Sequence, residues 1–222
     1  MRTNKALSEC LALIIILLIA AGCRQNPVRT ETGNYGMTKA ERTRPLPAEV
    51  SPAARTVVEA GLEQTEYTLY YDQSYFKIAY PGGDVPLERG ACTDVIVRAF
   101  RKAGVDLQKE VHEDMARNFA AYPKKWSLRK PDSNIDHRRV PNLRTYFERK
   151  GRALAISSKP ADYLPGDVVT WDLGGGVGHV GMVTSVWSDA AQHYLMVHNI
   201  GSGAKVQNVL FTWRITGHYR YF

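Results

Sequence analysis

Only three cysteines occur in 222 residues, which excludes a small disulfide-stapled scaffold. The longest apolar run, Leu11 to Ala21, falls well short of the ~20 residues a membrane-spanning helix needs. There is no H-E-x-x-H stretch and no paired Cys/His spacing, so no metal is expected, and nothing indicates an organic cofactor. The glycine run G174-G-G-V-G178 lacks phosphate-loop spacing and a following lysine, which argues against nucleotide binding. No internal repeat is visible. The formal net charge is +7, with basic clusters at Lys124-Lys125, Arg129-Lys130 and Arg138-Arg139. No nucleic-acid recognition motif accompanies them, and a solvated basic face or attraction to anionic lipid and cell-wall polymer fits better.

What is present begins with a processing signal. Arg2 and Lys5 precede the eleven apolar residues, and Ala20-Ala21-Gly22 lead to Cys23. A cationic start, a short apolar core and small residues read as an export signal over residues 1–23. The segment resembles the bacterial lipobox, which implies lipid on Cys23. Arg rather than Asp at residue 24 then implies the periplasmic face of the outer membrane. Residues 24–50 are polar and carry Pro27, Pro45 and Pro47, the pattern of a tether. As a flexible coil it spans roughly 30 Å. The folded domain is expected over residues 51–222.

Within that domain, Ser51-Pro52 opens a helix with a hydroxyl cap and a proline in its first turn. Val95, Ile96, Ala99, Phe100 and Ala103 repeat at helical spacing and end at Gly104. A further helix is expected from Leu107 to about Ala121 behind Asp106, and a short one over residues 143–150. Strands are expected at Asp167–Trp171, His179–Trp187, Tyr194–Ile200, Leu210–Ile215 and His218–Phe222. Helices first and strands after give an α+β domain with a largely antiparallel sheet.

Cys92 is the one cysteine left in this domain. It falls at the start of a helix, where unpaired N–H groups and the dipole lower a thiol's pKa and make it a nucleophile. A cysteine nucleophile needs a base, and a third group to orient it. Among six histidines, His179 opens an apolar strand directly after the glycine run. His198 and Asn199 end a later strand and point to opposite faces, so either is the orienter according to register. If Gly181 pairs with His198 it is the histidine; if with Asn199, the asparagine. His112, His137, His193 and His218 read as structural or surface residues.

Together A91-C-T-D, Y163-L-P-G-D-V-V, G178-H-V-G-M-V and M196-V-H-N-I-G resemble the papain-like NlpC-type cell-wall hydrolases. That resemblance implies Cys92 as nucleophile, His179 as base, His198 as orienter, and Tyr80 of Y80-P-G-G close to the nucleophile. YPGGDVP, the C-T-D helix start, NIDHRRVPNL and HNIGSG are similar to the bacterial family named domain of unknown function 1287 over nearly the whole mature domain. Arg138 and Arg139 are candidates either to bind a substrate carboxylate or to form a surface or structural ion pair, and Asp94 to stabilise the helix start or face the substrate. The nucleophile motif departs from the usual Asp-Cys-Ser-Gly. The resulting expectation is an envelope-anchored hydrolase cleaving an amide, best matched by cell-wall peptide, through an acyl-enzyme on Cys92. The alternatives are a lipid acyltransferase or esterase of the same fold, and a non-catalytic cell-wall-binding lipoprotein.

Overall fold

The computed structural model describes residues 41–222. The expected signal, Cys23 and most of the expected tether lie outside the described residues. The last part of that tether does not. Glu41–Thr43 form strand β1, paired antiparallel with Val186–Ser188, and Val50 is buried. The boundary expected at Ser51 therefore moves at least ten residues toward the N-terminus. Arg42 and Arg44 hold this strand in place through Asp189.

Helix α1 spans Pro52–Tyr67, and the Ser51 hydroxyl accepts the Ala54 N–H at 3.1 Å, the expected cap. Strands β2 (Tyr70–Tyr71) and β3 (Arg89–Gly90) form a short parallel pair ahead of α2 (Cys92–Lys102). Helix α2 ends where Gly104 turns to φ +83° and the Val105 N–H closes back on the Phe100 carbonyl. Helix α3 covers Leu107–Arg117, shorter than expected. Asn118 bonds back to the Asp114 carbonyl and carboxylate, so the chain leaves the helix and tightens into a 3-10 turn at Phe119–Ala121. Helix α4 runs Val140–Arg149, starting before Leu143 because Pro141 suits a first turn.

The remaining strands are β4 (Ala153–Leu154), β5 (Val168–Asp172), β6 (Gly178–Ser188), β7 (His193–Asn199), β8 (Ala204–Gln207) and β9 (Arg214–Tyr219). They lie in the order β4-β9-β5-β6-β7-β8, with β1 beside the far half of β6, and every pairing is antiparallel. The fold is α+β, as expected. The strands differ in detail: those expected at Leu210–Ile215 and His218–Phe222 are one, β9, Leu210 belongs to a turn and accepts the Trp171 indole N–H at 2.9 Å, and β4 and β8 pair where no strand was expected.

Alternation along the strands makes two cores. Val168, Val180, Met182 and Val197 face the helices and pack with Cys92, Ile96 and Phe100. Val169, Trp171, Val183 and Met196 face the other way, under Tyr163 and Leu210. Gly61 lets α1 sit directly on Met182, since a Cβ there would overlap the methionine methyl.

Arg138 ties the segments before and after α2 to its first turn. Its guanidinium meets the Asp94 carboxylate at 2.9 and 3.0 Å and donates to the carbonyls of Ser74 (2.6 Å) and Asp72 (3.0 Å). Both side chains are almost wholly buried. Removing one partner strands the other's charge, so Arg138→Ala is expected to lower stability by about 3–5 kcal/mol. Urea unfolding of the two proteins checks this, and a loss below about 1 kcal/mol contradicts the assignment.

Candidate active site

Cys92 is the first residue of α2, where sequence placed it. The preceding residue, Ala91, donates its N–H to the Asp94 carboxylate at 2.6 Å, so Asp94 fixes the helix start. The Thr93 hydroxyl donates to the Arg138 carbonyl at 3.1 Å. The backbone N–H groups of Val180, Thr93 and Cys92 itself face the sulfur. These donors favour a thiolate, but burial opposes it more strongly. The side chain is buried and the thiol pKa is pushed up to about 12. The lowered thiol pKa expected from the helix terminus is therefore corrected: desolvation outweighs the dipole here.

The register of β6 against β7 decides the orienter. Met182 pairs with Val197, which sets Gly181 opposite His198. The His179 Nε2 and His198 Nδ1 atoms are 2.8 Å apart. Gly181 is needed between them, because a Cβ there would meet the His198 Cβ at 3.1 Å and the Trp171 ring at 3.1 Å. Asn199 has a different task. It donates to the carbonyls of Gly90 at 2.8 Å and Tyr70 at 3.3 Å, anchoring β7 to the β2–β3 pair.

Both histidines are buried, and burial lowers their pKa values, to about 3 for His179 and about 4 for His198. His179 stacks on Trp171 with ring centroids 5.7 Å apart, and Trp213 closes edge-on over both imidazoles. That is the Trp171 side of the sheet. Cys92 packs on the helical side with Val180, the next residue along. Among the described residues no hydrogen bond joins Cys92 to His179. The thiol meets the backbone beside His179 rather than its imidazole.

The expected substrate-binding residues divide differently. Asp94 and Arg138 are spent on each other and on backbone, which bears out the helix-start reading of Asp94 and corrects the assignment of both to substrate. Arg139 stacks its guanidinium over Trp126 at 4.4 Å. Tyr80 does not sit at the nucleophile. Its ring packs edge-on against His112 at 5.2 Å, and His112 Nδ1 lies 2.8 Å from the Asp136 carboxylate. The tyrosine beside Cys92 is Tyr71, whose phenol is raised by burial and then by the nearness of Cys92 and Asp94. Parallel pairing of Tyr71 with Gly90 puts it there, and so short a strand pair leaves no trace in sequence. The described residues contain no cluster of side chains suited to a metal ion. None of their helices is long and apolar enough to cross a membrane.

The profile described as "Domain of unknown function (DUF1287)" matches residues 58–221. The chain belongs to that family. The uncharacterized protein YijF of Escherichia coli (strain K12) is 53% identical over 166 residues, covering 75% of this chain and 80% of that one. No solved structure matches.

His137, buried beside Arg138, has its pKa lowered to about 3, first by burial and then by that cation. With His179 and His198 it makes three imidazoles held neutral in the fold. An unfolded histidine titrates near 6.5, so below that pH the unfolded chain binds protons the folded chain refuses. Stability is therefore full above pH ~6.5 and falls on acidification toward pH ~4, by up to about 1.4 kcal/mol per pH unit for each histidine. Urea unfolding at three pH values in this window checks it, with His137→Gln expected to flatten the slope. Equal stability across the window contradicts the neutral assignment.

Proposed function

We propose that this chain is a cysteine hydrolase of papain-like, NlpC-type fold that cleaves an amide bond, with cell-wall peptide as substrate. The observation that carries the reading is the His179–His198 contact of 2.8 Å on the strand whose next N–H faces the Cys92 thiol. With His179 Nε2–H donating to His198 Nδ1, the free Nδ1 of His179 is an acceptor. On this reading it takes the thiol proton as sulfur attacks the carbonyl carbon. The imidazolium then protonates the departing amine, leaving a thioester on Cys92. Water, deprotonated by the same imidazole, hydrolyses it. Attack requires thiol and imidazole to meet, so the form described is a closed one that substrate must open. The lipobox-like sequence at Cys23 supports an anchor at the envelope, on the periplasmic face of the outer membrane, where wall amides are in reach.

A specific observation favours a second reading, a non-catalytic binding protein. Cys92 is only 6% exposed, and its thiol is protonated at neutral pH with a pKa of about 12. The two readings separate on purified cell wall. The hydrolase releases new amino groups, and Cys92→Ala and His179→Ala each lower the rate by about 100-fold or more. Release that is absent in the wild type, or unchanged in Cys92→Ala, leaves the binding reading.

The pH profile is a further check. The reactive form has a neutral imidazole, present above about 3, and a protonated thiol, present below about 12. Turnover is therefore flat between roughly pH 5 and 10. A bell with limbs near 4 and 8.5 marks a thiolate–imidazolium pair instead and contradicts the neutral ground state.

A further inference from the structure

A cleft of about 360 Å³ opens between α4 and the β5–β6 hairpin. It adjoins the proposed catalytic groups through three of its walls. Gly178 precedes His179, Trp171 stacks on the His179 ring, and Val140 belongs to the core cluster that holds Cys92. Gly178 and Val140 lie close together: a Cβ on the glycine would come within 3.3 Å of the valine side chain.

Its polar wall carries three cations, Lys125, Arg144 and Arg214, against two carboxylates, Asp172 and Glu148. Arg214 is matched, since Asp172 lies 2.6 Å away. The same carboxylate accepts the N–H groups of Gly174 and Gly176, which shapes the glycine loop and satisfies the acid. Arg144 is poorly matched. Glu148 is 3.8 Å from its Nη2, that carboxylate also accepts the Tyr219 hydroxyl at 3.2 Å, and Arg144 shares the same hydroxyl as a hydrogen-bond partner. The Arg144 Nε–H is buried with no acceptor, and Lys125 makes no ion pair among the described residues. A buried donor without an acceptor costs about 1–3 kcal/mol. Two cations with donors to spare, over an apolar floor of Val140, Pro141 and Trp171, fit a carboxylate attached to a short peptide.

We propose that this cleft binds the carboxylate-bearing end of the peptide substrate, with Arg144 and Lys125 as its anion contacts, so that the chain behind the carboxylate runs toward Gly178 and the thiol. The proposal rests on the hydrolase reading for the direction of the substrate, but the binding stands on the cleft alone. It also sets the substrate class: a peptide with a free carboxylate, in preference to an acyl lipid or an amidated peptide.

The test is a calorimetric titration of the full chain carrying Cys92→Ala, which cannot form a thioester. The probes are a soluble cell-wall stem peptide with a free C-terminal carboxylate and the same peptide as its carboxamide. The free acid is expected to bind about tenfold more tightly or better, with the preference shrinking as salt is raised. Arg144→Gln removes the preference, Arg144→Lys restores part of it, and Lys205→Gln on β8 leaves it intact. Equal binding of the two peptides, no binding of either, or a preference that survives Arg144→Gln combined with Lys125→Ala overturns the proposal. Thermal melting of each variant shows that the fold is retained. The hydrolase reading is scored separately, by whether the wild-type chain cuts the same peptide. An uncut peptide bound with the carboxylate preference sinks catalysis and keeps the cleft, and a cut peptide bound without it does the reverse.

Discussion

Arg138 is a cation with almost no access to water, and the region around Cys92 is organised by what it needs. Its partners are one carboxylate, on the first turn of α2, and two carbonyls from the segment 72–74. Satisfying it brings three remote pieces of chain together: the loop after α1, the start of α2, and the turn before α4. Asp94 is held at the same time to the Ala91 N–H, so the helix that begins with Cys92 has one possible start. Buried pairs of this kind add little net stability over apolar packing of the same volume. Their effect is that few other arrangements leave the charges paired.

The second organising constraint is parity along β6. Val180 and His179 are neighbours in sequence but belong to different cores. The thiol side of the sheet is packed with aliphatic and aromatic residues, most of them from the helices, and the imidazole side with Trp171 and Trp213. Both environments are dry, which holds Cys92 protonated and both histidines neutral. A thiol and an imidazole in this state carry no ion-pair energy to hold the two side chains together.

The sequence was informative where local chemistry decides the outcome. Ser51-Pro52, Asp106 and Gly104 mark helix ends through their own side chains or conformational freedom, and the strands carrying His179 and His198 show as apolar runs. It was silent on register, which rests on long-range pairing, and so left His198 and Asn199 open until Met182 was seen opposite Val197. It read Asp94 as a helix-start stabiliser but could not choose for Arg138 between a ligand and an ion pair, because an arginine that is buried and one that waits for a ligand are the same letter. Tyr80 and Tyr71 are a similar case. The choice between them depends on a two-residue parallel pairing with no periodicity to read. The helix start at Cys92 was legible, whereas the depth of its burial depends on Val140 and Val180, which are remote in the chain.

That burial bears on chemistry other than the proposed reaction. Peroxides and related oxidants attack thiolates at accessible sulfur, so a protonated, 6% exposed thiol reacts slowly with them. Sulfenic acid, and the irreversible acids beyond it, form at Cys92 only when that burial is relieved. The closed form therefore acts as a chemical shelter. If opening is what substrate brings about, the sulfur is exposed to damage only during the intervals when it is in use.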